Sequence, residues 1–136
     1  DIDIVDLIKY LSSKFGVKQE IKKEKYQRLE EYIGDSKKVL LVLVDGLGYY
    51  KVNELSDSSI LKKNLMTGIR TVNPTSTACV LTSVCSAKYP SEHGIFGWWQ
   101  YLRSKNLNYC PLPMVERKTG KKYVRKSLIY FQIIRK

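Results

Sequence analysis

The chain opens with an apolar stripe at helical spacing. Ile4, Ile8, Leu11 and Phe15 recur at intervals of 4, 3 and 4 residues, and Gly16 supplies a natural stop. A second helix is expected from about Lys18 to Ile33. Tyr26, Leu29 and Ile33 form its apolar stripe, its other face is charged, and Gly34 ends it. The period then disappears. Val39-Leu40-Leu41-Val42-Leu43-Val44 is an unbroken apolar run followed at once by Asp45-Gly46-Leu47-Gly48. A valine-rich run of this length, bounded by a glycine turn, reads as a strand buried on both faces, and such strands belong to parallel sheets flanked by helices.

Further on the signals are shorter. A helical segment is expected around Ser58 to Leu65, and a second short strand over Thr67 to Val72. Asn73-Pro74-Thr75-Ser76 forms a turn and cap cluster, and one of Thr75, Ser76 and Thr77 is expected to cap the helix that follows. That helix runs from Thr77 to Ala87 with Val80, Val84 and Ala87 on one face, until Lys88-Tyr89-Pro90-Ser91 breaks it. His93 to Gly97 reads as a loop and Trp98 to Leu102 as extended chain. Pro111 and Pro113 exclude a helix around them, and Leu128 to Ile134 is an apolar run suited to an edge strand. The expected organisation is a helical segment over 1–36, a partial α/β domain over 37–113 and a basic tail over 114–136.

Charge sharpens this division. Residues 1–36 carry 7 Lys/Arg against 8 Asp/Glu, residues 37–113 carry 9 against 4, and residues 114–136 carry 8 against 1. The net charge of +11 therefore sits mainly at the end of the chain. A basic end is either a solvated tail or an arm for nucleic acid or another anionic partner. No apolar stretch is long enough to span a bilayer. The acidic start does not read as a secretory signal, and the missing initiator Met points to processing or to a cut from something longer. Cys79, Cys85 and Cys110 are odd in number and lack a CxxC pair, so a reducing, cytoplasmic compartment is expected. With His93 as the only histidine, one copy of the chain cannot supply a site of several imidazoles.

Two positions suggest chemistry. Asp45 stands at the carboxyl end of the expected buried strand, the edge where open α/β sheets bind ligands, and a carboxylate there can hold a divalent cation or simply open a turn. Thr77 stands at the start of a helix, facing free backbone N–H groups and the positive end of the helix dipole, a ready place for a phosphate oxygen.

VLLVLVDGLGYY followed by NPTSTACVLTSVCSAKYPSEHGIFGWWQYL resembles the type I phosphodiesterase/nucleotide pyrophosphatase branch of the alkaline-phosphatase superfamily. That family shows a hydrophobic strand ending in Asp-Gly, a Pro-Thr/Ser-x-Thr nucleophile segment, a helix, a proline and His-Gly-Ile. The resemblance covers roughly residues 37–103. It implies a three-layer α/β/α fold with a mainly parallel sheet, alkaline-phosphatase-like and here incomplete. It implies metal-dependent hydrolysis of phosphoric esters, with Thr77 as nucleophile and metal ligand, Asp45 as metal ligand, and two divalent ions, usually zinc, in the complete site. His93 matches the His-Gly-Ile element and takes a structural role. Trp98 and Trp99 fall where nucleotide-cleaving members carry Asn, a departure that bears on nucleotide specificity. The sulfatase segment Cys-x-Pro-x-Arg is absent. After His93 the chain has no His or Asp and only one acid, Glu116, so most of the family's metal ligands are missing. The chain is expected to be truncated, to be completed by a separate polypeptide, or to be a catalytically silent remnant. The basic turn after Val115 suits a frameshifted or foreign tail. The alternative function is a non-catalytic basic module for nucleic acid or another anionic partner.

Overall fold

A computed structural model describes residues 1–123. The chain forms two compact units, divided between Arg70 and Thr71.

The first unit is helical. α1 spans Ile4–Lys14 and α2 spans Lys23–Ile33. Asp3 starts α1 through a reciprocal cap: its carboxylate accepts from Asp6 N–H, and the Asp6 carboxylate accepts from Asp3 N–H, each at 3.0 Å. The apolar stripe of α1 is buried through Ile4 and Ile8, but Phe15 is half exposed. It is the capping residue after the last turn, where the chain leaves the helix through Gly16 at φ 88°. α2 begins five residues later than expected; Lys22 caps it by backbone position alone. Ile2, Tyr10 and Leu29 form the core, with Leu7, Leu11, Ile21, Tyr26 and Ile33 packed against it.

Polar contacts lock this helix pair. The Tyr10 hydroxyl donates to the Glu30 carboxylate, and its ring meets Tyr26 edge-on with centroids 5.0 Å apart. Lys14 Nζ bonds Glu30 at 3.2 Å and the Gly34 carbonyl at 2.6 Å, at the negative end of α2. Lys25 pairs with Asp6 at 2.5 Å.

Val39 to Val44 departs from expectation. The run forms no strand, and its residues are between 38% and 86% exposed. An apolar run becomes a buried strand only when chain distant in sequence supplies hydrogen-bonding edges and covering faces. Among the described residues no strand pairs with it. The run leads into the Asp45–Gly46 turn and then α3, Tyr49–Asn53. α4 is a single turn, Ile60–Lys63, shorter than the segment expected. The strand expected over Thr67 to Val72 reduces to one parallel bridge, Asp3 with Arg70.

The second unit holds α5 (Thr77–Ser86), α6 (Pro90–His93) and a small sheet of β1 (Gln100–Leu102), β2 (Leu107–Cys110) and β3 (Val115–Glu116). The sheet order is β1-β2-β3 and both pairings are antiparallel, in place of the mainly parallel sheet expected. Its strands follow one another closely in sequence, so short connections suffice; a parallel pair needs a long crossover. A one-turn 3-10 helix, Arg103–Lys105, and Asn106 at φ 47° join β1 to β2. Leu107 and Tyr109 bury one face of β2. α5 ends at Ala87 in the left-handed region. Proline opens α6 at a first-turn position, where its missing N–H costs nothing. Among the described residues no helix is long and apolar enough to cross a membrane. The apolar run Leu128 to Ile134 lies outside the described residues.

Candidate functional site

Thr77 is the first residue of α5, a ten-residue helix, and is partly buried. Ser76 occupies the cap position in extended backbone (φ −74°, ψ 146°) but makes no side-chain cap bond. Its hydroxyl is buried and finds no hydrogen-bond partner among the described residues. Of the three hydroxyls expected to cap this helix, that of Ser76 does not.

What holds α5 is its opposite side. Ala78, Cys79 and Ser83 are completely buried. Of Val80, Val84 and Ala87, expected on one face, Ala87 is buried and the two valines are only partly covered. A serine can enter a core when its hydroxyl is satisfied, and here Ser83 Oγ lies 2.9 Å from His93 Nε2. Thr82 and Ser86 return their hydroxyls to the helix, onto the Ala78 and Thr82 carbonyls, each at 2.7 Å.

His93 is held at both ring nitrogens. Ile95 N–H donates to Nδ1 at 3.0 Å, which leaves the proton on Nε2 and makes Ser83 Oγ its acceptor. Burial lowers the His93 pKa, while the Glu92 carboxylate opposes that shift. Neither nitrogen presents a lone pair to an outside ligand in this arrangement. The ring ties α5 to the loop after α6, whose Gly94 turns at φ 74°. Sequence reading missed Ser83 as the partner. The available signal was a small polar residue on a helix whose other inward positions are small and apolar.

Asp45 belongs to the first unit and Thr77 to the second. Asp45 occupies an exposed turn, with Gly46 at φ 75° directly after it. Among the described residues no group of three or more His, Cys, Asp or Glu is arranged to hold a metal ion. The donors described do not by themselves fit a pair of divalent ions, which need several anionic or imidazole ligands each. The three cysteines are free; Cys79 and Cys110 are buried, and burial raises their thiol pKa values.

A family model for type I phosphodiesterase / nucleotide pyrophosphatase matches residues 39–133. The match opens on the Val39–Val44 run and continues through most of the basic segment, which is therefore read within the family span and not as a foreign addition. No curated protein and no solved structure matches the chain.

Proposed function

The chain belongs to the type I phosphodiesterase / nucleotide pyrophosphatase family, and we propose that it is part of a phosphoric-ester hydrolase with Thr77 as nucleophile and Asp45 as a metal ligand. The observation that carries this reading is the family match, joined to the position of Thr77 at the head of α5. There its hydroxyl shares the end of the helix where N–H groups and the dipole favour a phosphoryl oxygen. Thr77 Oγ1 would give up its proton to solvent and form a bond to phosphorus as the bond to the in-line alkoxide breaks, the alkoxide taking a proton from water. Water would then displace the threonine oxygen and release phosphate or its monoester. In the family this chemistry draws on two divalent metal ions, usually zinc, of which Asp45 and Thr77 would hold a part.

The remaining ligands would come from further polypeptide, as additional sequence or as a separate chain. In this reading Val39 to Val44 is the first strand of a three-layer α/β/α sheet that such polypeptide completes. Its exposure supports that view, because six apolar residues in water leave their burial energy unused.

The test is turnover by the full chain of an aryl phosphodiester and an aryl phosphate, with and without zinc. Zinc-dependent release of the phenolate, abolished by Thr77→Ala, is the expected result. No metal binding and no turnover of either ester would remove the activity from this chain and leave only its ancestry. The charge segregation favours a second reading, a basic module for an anionic partner; it predicts salt-sensitive binding that survives Thr77→Ala and is lost when residues 117–136 are removed.

A further inference from the structure

The small sheet of the second unit has one face the family reading does not use. Directly paired residues of neighbouring strands share a face, as do residues two apart on one strand. Tyr101 pairs with Asn108. One step beyond the Tyr109–Glu116 pair, Arg117 N–H donates to the Asn108 carbonyl at 2.8 Å. Tyr101, Asn108 and Arg117 therefore lie on one face, and Trp99, two residues before Tyr101, joins them. The Arg117 guanidinium confirms the arrangement, lying 5.4 Å from the Trp99 ring centroid.

The Trp99–Tyr101 end of this face is open: Trp99 is 45% exposed and Tyr101 56%, while Cys110, further along the same face, is buried, as are Leu107 and Tyr109 on the reverse face. The Tyr101 ring is not loose, since its hydroxyl bonds Asn106 Oδ1 at 3.0 Å. Residues 97–123 contain 6 Lys/Arg and a single acid, Glu116. Glu116 pairs with Tyr109 and so belongs to the reverse face. This face thus combines two aromatic rings, a guanidinium over one of them and no carboxylate of its own segment, in a stretch of chain that carries five further cations.

We propose that this face binds single-stranded nucleic acid, with Trp99 and Tyr101 stacking on bases and Arg117 with the nearby lysines meeting phosphates. The ligand chemistry follows from the surface. Exposed rings ask for flat π faces, and the cations ask for a polyanion. A duplex keeps its base faces inside, and an acidic peptide offers charge without faces. The stacking contacts lie on β1, and the cationic ones begin with Arg117 at the head of the basic segment. The proposal is independent of the hydrolytic reading.

The experiment uses the full chain carrying Thr77→Ala, so that hydrolysis cannot confuse binding. A labelled oligothymidylate is titrated by fluorescence anisotropy, alongside a duplex oligonucleotide and heparin. The single strand should bind more tightly than either competitor and quench the tryptophan emission. Tyr101→Ala and Trp99→Ala should each weaken binding by roughly 5- to 100-fold, the range expected for loss of one base–aromatic stack. Tyr101→Phe and Trp99→Phe should stay within a few-fold of the parent. Circular dichroism checks that the variants fold; should an Ala variant fail, Tyr101→Leu keeps the bulk and removes the π face. Equal binding of heparin or duplex, or aromatic variants that bind like the parent, would overturn the proposal. Loss of turnover in the hydrolysis assay would leave it untouched.

Discussion

Ser83 Oγ and His93 Nε2 are hydrogen-bonded at 2.9 Å across two helices, and the geometry at Nδ1 makes the imidazole the donor. The pair is consequently not a serine nucleophile with its base. A histidine acting as base on a hydroxyl must offer a lone pair to it, and this one offers a proton.

The same bond gives a pH dependence with a definite sign. Burial holds the His93 pKa below its ordinary value, so the folded state favours the neutral ring. Above about pH 6.5 both folded and unfolded histidine are neutral and the full stability is present. As pH falls below that value the unfolded state gains the proton first, and stability is lost until the lower folded pKa is passed. The thermal midpoint followed by tryptophan emission should fall between pH 7 and 5. His93→Gln should flatten that slope, because the chain has no other histidine. Identical slopes in both proteins would rule the explanation out.

Ser83→Ala tests the bond from its other end. The substitution is nearly isosteric and leaves the His93 N–H without its acceptor. A loss of about 1–3 kcal/mol in urea unfolding is expected, the cost of an unsatisfied buried donor. A change within a few tenths would show that water replaces the serine.

In the first unit, Tyr10→Phe removes the hydroxyl that donates to Glu30 while keeping the buried ring. Glu30 retains Lys14. The expected loss is about 1–2 kcal/mol, measured by chemical unfolding. Burial and the Glu30 carboxylate both push the Tyr10 pKa far upward, so the hydroxyl stays protonated in alkali. Tyr10→Phe should therefore leave the tyrosine absorbance change of the native protein at moderately alkaline pH almost unaltered, while removing one ionising group in urea.

Thr77→Ala and Thr77→Ser separate nucleophile from scaffold. Both should fold with parental helicity, since the anchors of α5 are Ala78, Cys79 and Ser83. Turnover should fall to background in Thr77→Ala and persist in Thr77→Ser. Persistent turnover in the alanine variant would assign the chemistry to another group.

The helices were legible where the signal was local. α1 follows from its 4-3-4 stripe and from Asp3 and Gly16 at its ends; α5 follows from the cap cluster and the break near Pro90. β1 lies inside the extended stretch read from Trp98 to Leu102. β2 and β3 were missed because they are four and two residues long and are defined by their pairing, not by any run of their own. Val39 to Val44 failed for the converse reason: its composition states a preference that only non-local partners can realise. The Asp45-Gly turn and Thr77 at a helix start were visible as motifs, whereas the outward alternation of Trp99 and Tyr101 acquires meaning only once Arg117 is brought beside it.

The bare Val39–Val44 run has a thermodynamic consequence. A separate chain that covered those side chains would bind the folded unit and add to its stability by mass action. The free energy of unfolding would then be a function of how much of that binder is present, and a melting temperature would mean something only when quoted with a concentration.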